Sequence, residues 1–123
     1  MKFKEITSVN ELPSVMKLFE GGAKLLSLEY IACGKDSITN DVKDAILKFK
    51  GGTEFALRFA GVECLHIAPI AMGNIYVENI SLGKFRNIYF WADDDTFNIT
   101  EPDTSGSYCI ASSLSVGRYL CTF

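Results

Sequence analysis

Histidine is almost absent from this chain: His66 is the only one in 123 residues. A centre built from several histidines is therefore excluded, and any nucleophile that needs an imidazole base has one position to draw on. The four cysteines, Cys33, Cys64, Cys109 and Cys121, form no C-x-x-C pair. Zinc ribbons and thioredoxin-like motifs need such pairs, because one short turn must present two thiolates to a common point. These cysteines read instead as small buried hydrophobes in a reducing compartment. A glycine-rich phosphate loop, a G-x-S-x-G elbow and H-E-x-x-H are all missing. No apolar run approaches a membrane span, and the opening MKFKEITSVNELPSV lacks the apolar segment of a secretory signal. A cytoplasmic protein with no membrane partner, no metal and no organic cofactor is expected. An excess of basic charge is lacking too: 15 acidic against 12 basic residues leave a net charge of −3. Nucleic acid is a poor partner for that balance, and a basic protein a better one.

What the chain has is apolar content, 48% of its residues, which is enough for one domain over 1–123 to bury a core without staples. In LPSVMKLFEGG, Leu12, Met16 and Phe19 recur at helical spacing, Pro13 suits a first turn, and Gly21-Gly22 supply a stop. AKLLSLEYIAC alternates as a half-buried strand, with Leu26, Leu28 and Tyr30 on one side, and the polar loop GKDSITN follows. DVKDAILKFKGG is ambiguous. Val42, Ala45, Ile46 and Phe49 share a helical face, while Ala45, Leu47 and Phe49 alternate as a strand would. A hairpin with loop Lys50–Gly52, placing Phe49 across from Thr53 and Leu47 across from Phe55, is the preferred reading.

From residue 53 the period is close to two. Phe55, Leu57 and Phe59 face one way; Gly61 marks a bend or bulge, after which Leu65 and Ile67 point inward and Cys64 and His66 outward. Further strands are expected in NIYVENISL, KFRNIYFWA, TFNIT, SYCIASS and SVGRYLCTF. The expected class is α+β, mainly antiparallel β: a rolled sheet or two-layer β structure with one or two short helices.

Candidate sites follow from this placement. Cys64 and His66, two apart on a strand, share a face, which permits a metal pair or a thiol near a base and equally suits plain scaffold. The stretch DDDTFNITEPDTSGS gathers Asp93, Asp94, Asp95, Glu101 and Asp103 with no intervening lysine or arginine. It lacks the glycine and alternate-oxygen spacing of an EF-hand loop, and reads either as a solvated turn or as a negative patch for a basic partner. Tyr89 and Trp91 alternate with Phe90, so they either anchor a partner beside that patch or fill a second core layer. Arg58, alone among apolar strand neighbours, is expected to pair with a carboxylate on the sheet face.

Taken in order, GGAKLLSLEYIACGKD, TEFALRFAGVECLHI and NIYVENISL resemble the small bacterial immunity proteins of polymorphic toxin systems, the Immunity protein 50 type, over roughly residues 22–100. The matching positions are mainly β-core residues. Such proteins often carry a His-Asp pair before the first long strand; this chain has Gly22-Ala23 there, so no role of that pair transfers. The resemblance implies a protein that is not an enzyme and neutralises a cognate toxin by contact. Asp93, Asp94, Asp95, Glu101 and Asp103 would form the electrostatic rim, with Trp91 and Tyr89 as anchors. Two competing readings come from the residues: a small metal-binding or thiol enzyme centred on Cys64 and His66, and a non-catalytic self-assembling or ligand-binding β domain.

Overall fold

A capping box starts the 3-10 turn Val9–Glu11 that leads into the helix. Ser8 Oγ accepts the Asn10 amide, while Glu11 Oε2 accepts the amides of Thr7 (2.8 Å) and Ser8 (3.1 Å). In the computed structural model, which describes residues 2–32, 42–67, 76–77, 79–102 and 106–118, α1 runs Leu12–Met16 between two 3-10 turns and stops at Gly21 and Gly22, both at positive φ. Its buried stripe is Leu12, Val15 and Phe19; Met16, expected on that face, is 39% exposed. Met16 lies within α1, where about 100° per residue sets it at the edge of the stripe that Leu12 and Val15 define. Cys33, Cys121, Asp103 and the loop GKDSITN lie outside the described residues.

The strands are β1 Lys2–Glu5, β2 Ala23–Ala32, β3 Val42–Lys50, β4 Glu54–His66, β5 Tyr76–Val77, β6 Ser81–Phe85, β7 Ile88–Ala92 and β8 Tyr108–Arg118. Seven form one antiparallel path, β5-β2-β3-β4-β8-β7-β6, and β1 is an eighth, pairing with β8. The expected class, mainly antiparallel β with a short helix, is the observed one; the sheet is open, not a closed barrel. Strand β8 organises it. One edge pairs with β4 along nearly its whole length, while the other is shared by β7 at residues 108–111 and β1 at residues 115–118.

The ambiguous segment is a hairpin strand, as preferred, with a different register. Phe49 opposes Phe55 and Leu47 opposes Leu57, so the loop is Gly51–Thr53 rather than Lys50–Gly52. A two-residue change of register preserves the face of every side chain, which is why the apolar pattern alone did not decide it. A bulge between Leu25 and Ser27 in β2 leaves Leu26 46% exposed, and Leu25 and Leu28 pack on the core instead. KFRNIYFWA is not one strand: the chain reverses at Arg86-Asn87, with Arg86 at φ 57, and Leu82 opposes Trp91. SYCIASS and the start of SVGRYLCTF are continuous in β8, and TFNIT is built of turns.

The helix and the sheet's inner face enclose the core. Phe19 meets Phe49 and Phe55 edge-on at 4.9 Å, and Trp91 lies 5.6 Å from Phe49, tilted. Leu47, Leu57, Phe59 and Leu114 complete it, all fully buried. No helix among the described residues is long and apolar enough to cross a membrane.

Candidate functional site

Strand β7 has both faces covered. Tyr89 and Trp91 face the helix side, where Trp91 is fully buried and the Tyr89 hydroxyl donates to the Ile6 carbonyl at 3.2 Å. They are core residues, and the expectation that they anchor a partner is corrected: α1 and the β1–α1 connection close over that face before any partner can reach it. Ile88, Phe90 and Ala92 face the other way and join Cys64, Tyr108 and Ile110 in a second apolar cluster.

That outer cluster is roofed by the acidic excursion. Phe97 and Ile99 turn inward from it, Phe97 lying 5.6 Å from the Phe90 ring and 5.4 Å from Tyr108. Two side-chain turns shape the backbone between them. Asp94 Oδ1 accepts the Thr96 amide (2.9 Å) and hydroxyl (2.8 Å), and Asn98 Oδ1 accepts the Thr100 amide (3.0 Å) and hydroxyl (2.7 Å). Ser81 ties the loop to β6 by donating to the Asp94 carbonyl at 2.6 Å. The spacings Asp94-x-Thr96 and Asn98-x-Thr100 carried this turn signal in the sequence, where alternation suggested a strand.

The acidic residues thus divide by role. Asp95 and Glu101 stand exposed, and Asp94 is exposed with one carboxylate oxygen engaged in its turn. Asp93 turns back instead: its Oδ1 accepts the Ser107 amide at 3.0 Å, and its own amide donates to the Ser107 carbonyl. Glycine at 106 permits the approach, since a Cβ there would stand 2.7 Å from Asp93 Oδ1. Burial pushes the Asp93 carboxyl above its usual range, with the neighbouring Asp94 charge adding to it and the Ser107 amide opposing it.

A raised carboxyl pKa means that the folded chain holds its proton to higher pH than the unfolded chain. Stability contributed by protonated Asp93 is present below the unfolded pKa and is lost as pH rises through the folded one. Asp93→Asn keeps an oxygen acceptor and removes that titration. Denaturant titrations from pH 3 to 7 should show the variant gaining on the parent as pH rises, with Asp93→Ala, which lacks the acceptor, following the same trend roughly 1–2 kcal/mol below Asp93→Asn at every pH.

Cys64 and His66 share the outer face of β4, as expected, and Tyr108 of β8 joins them. The His66 ring stacks on Tyr108 at 5.5 Å, and the Cys64 thiol donates to the Tyr108 hydroxyl at 3.8 Å. His66 Nδ1 lies 2.9 Å from the Gly106 carbonyl, which only accepts, so that nitrogen is the donor in this contact. Burial and the adjacent Cys64 push the Tyr108 phenol upward. Cys109, buried on the opposite face, has its thiol pushed far above the ordinary range, mainly by burial, which disfavours the thiolate. Among the described residues no three His, Cys, Asp or Glu side chains gather as a metal site. Arg58 pairs with Asp44 at 3.0 Å, the carboxylate partner expected of it.

Known proteins add no relative to this geometry: no family model, no curated protein and no solved structure matches the chain.

Proposed function

We propose that this chain is a cytoplasmic, non-catalytic immunity protein that binds and neutralises a basic toxin domain through the acidic excursion after β7. The observation that carries this reading is the way the excursion is held. Phe97 and Ile99 seat it on the outer cluster, two side-chain turns shape it, and Asp94, Asp95 and Glu101 are left pointing to solvent. A carboxylate ridge ordered before binding loses little conformational entropy on contact, and its field speeds encounter with a cationic partner. With Tyr89 and Trp91 in the core, the ridge acts through charge and shape rather than through those rings.

The test has two stages. Tagged protein is used to capture its partner from the source cells; the captured chain, encoded beside this one, should be toxic when expressed alone and harmless when co-expressed. Asp95→Lys with Glu101→Lys should then weaken the complex about tenfold or more at low salt, chiefly through slower association, and flatten its salt dependence. Unchanged affinity and salt slope would remove the ridge from the interface. Capture of a partner that is not toxic would remove the immunity reading itself.

A further inference from the structure

The opposite end of β8 carries a groove of different chemistry, walled by β1 and β8 on one side and α1 on the other, with a volume of about 610 Å³. Ile6, Val15, Leu18 and Val116 give it an apolar floor. Lys2, Lys4 and Arg118 line it with positive charge, in a chain whose net charge is −3. Among the described residues Glu11 is the only acid in the lining, and its carboxylate is already engaged: it pairs with Lys4 at 3.3 Å and accepts the Thr7 and Ser8 amides.

Lys2 and Arg118 are left over. They oppose each other directly in the β1–β8 register, and neither makes an ion pair among the described residues. Like charges at directly opposed sheet positions repel, so this arrangement costs stability unless an anion sits between them. A carboxylate is such an anion, and a guanidinium fork can bind both its oxygens. The floor beside it accepts an aliphatic body.

We propose that this groove binds a small anionic amphiphile, a carboxylate on an unbranched aliphatic chain, with the head between Lys2 and Arg118 and the chain along Ile6, Val15, Leu18 and Val116. The size favours a small molecule over a protein. The volume falls in the range of pockets that take drug-sized ligands, whereas a stable protein partner covers about 800 Å² on each side. The four residues of β1 span roughly 13 Å, the reach of a chain of about ten carbons. This assignment is independent of the acidic ridge and of what the ridge binds.

The experiment is a titration of the full chain with decanoate below its micelle concentration, followed by calorimetry and by amide NMR shifts. Saturable one-to-one binding is expected, with shifts confined to β1, α1 and residues 114–118. Decanoate should bind about tenfold more tightly than octanoate, and uncharged decanol about tenfold more weakly than decanoate. Lys2→Gln with Arg118→Gln, both exposed positions, should weaken decanoate about tenfold while leaving the thermal midpoint unchanged or higher. Five results would overturn the proposal: no saturation, shifts spread over the outer face, or equal affinity in the double variant; a dimer in solution whose interface shifts map to the groove, meaning that a second copy occupies it; and binding of a short leucine-glutamate peptide in place of decanoate, meaning a protein partner.

Discussion

Trp91→Ala should cost about 3–5 kcal/mol, the range for truncating a large buried aromatic, and leave much of the chain's stability spent. The ring is fully buried, packs on Phe49, and opposes Leu82 on β6 and Cys109 on β8, so its removal opens a cavity where three strands meet. For a chain of this size each kcal/mol moves the thermal midpoint by about 4 °C, so a fall of roughly 12–20 °C is expected by circular dichroism. Trp91→Phe sharpens the test. The indole Nε1–H is buried without a hydrogen-bond partner among the described residues. Phenylalanine removes that unpaired donor along with part of the ring volume, so the two effects offset, and the net loss should stay near 1 kcal/mol or below. If Trp91→Ala melted within a few degrees of the parent, the placement of Trp91 in the core would be wrong, and the ring would return as a candidate anchor for a partner.

The sequence exposed local periods well and long-range geometry poorly. The strand alternation of 53–67 was legible down to the direction of Cys64 and His66, because the side chains of a half-buried strand must separate by polarity. The partner of Arg58 was legible for a related reason: a lone cation on a sheet face needs a carboxylate nearby, and Asp44 stands on the next strand. Composition could not decide the fate of Tyr89 and Trp91. A strand with apolar residues on both faces shows no polarity contrast, and only the arrival of α1 on one side and Phe97 on the other settles which face is which. The seating of the acidic ridge was hidden because TFNIT alternates like a strand, while its turn chemistry lies in the Asp-x-Thr and Asn-x-Thr spacings. The capping box was readable as Ser8-x-x-Glu11 and defines the helix start better than Pro13 alone. The basic groove was out of reach, since Lys2 and Arg118 meet only through the pairing of β1 with β8.

Gly61→Ala should destabilise the chain by about 2–4 kcal/mol, more than a solvent-facing strand position ordinarily costs, because two separate effects act there. Gly61 has φ +64, a left-handed conformation that costs a residue with a Cβ roughly 1–2 kcal/mol. A Cβ would also stand 2.8 Å from Ser112 Oγ and 3.0 Å from Ser112 Cβ on the paired strand. A double-mutant cycle separates the two. Ser112→Ala removes the hydroxyl contact, so in the Gly61→Ala background it should recover about 1 kcal/mol, with the backbone share remaining. The position matters beyond stability because both strands break alternation there. Inner-face residues run Phe55, Leu57, Phe59 and then Val62 on β4, and Val116, Leu114 and then Ala111 and Cys109 on β8. Without that break Tyr108 and Ile110 would face the helix side, and the outer cluster that seats Phe97 and Ile99 would lose its floor. Gly61→Ala should therefore also raise amide exchange across residues 94–101 more than across β3, and weaken a partner held by the ridge. Equal stability of parent and variant, within about 0.5 kcal/mol, would show that neither the left-handed backbone nor the Ser112 approach is required.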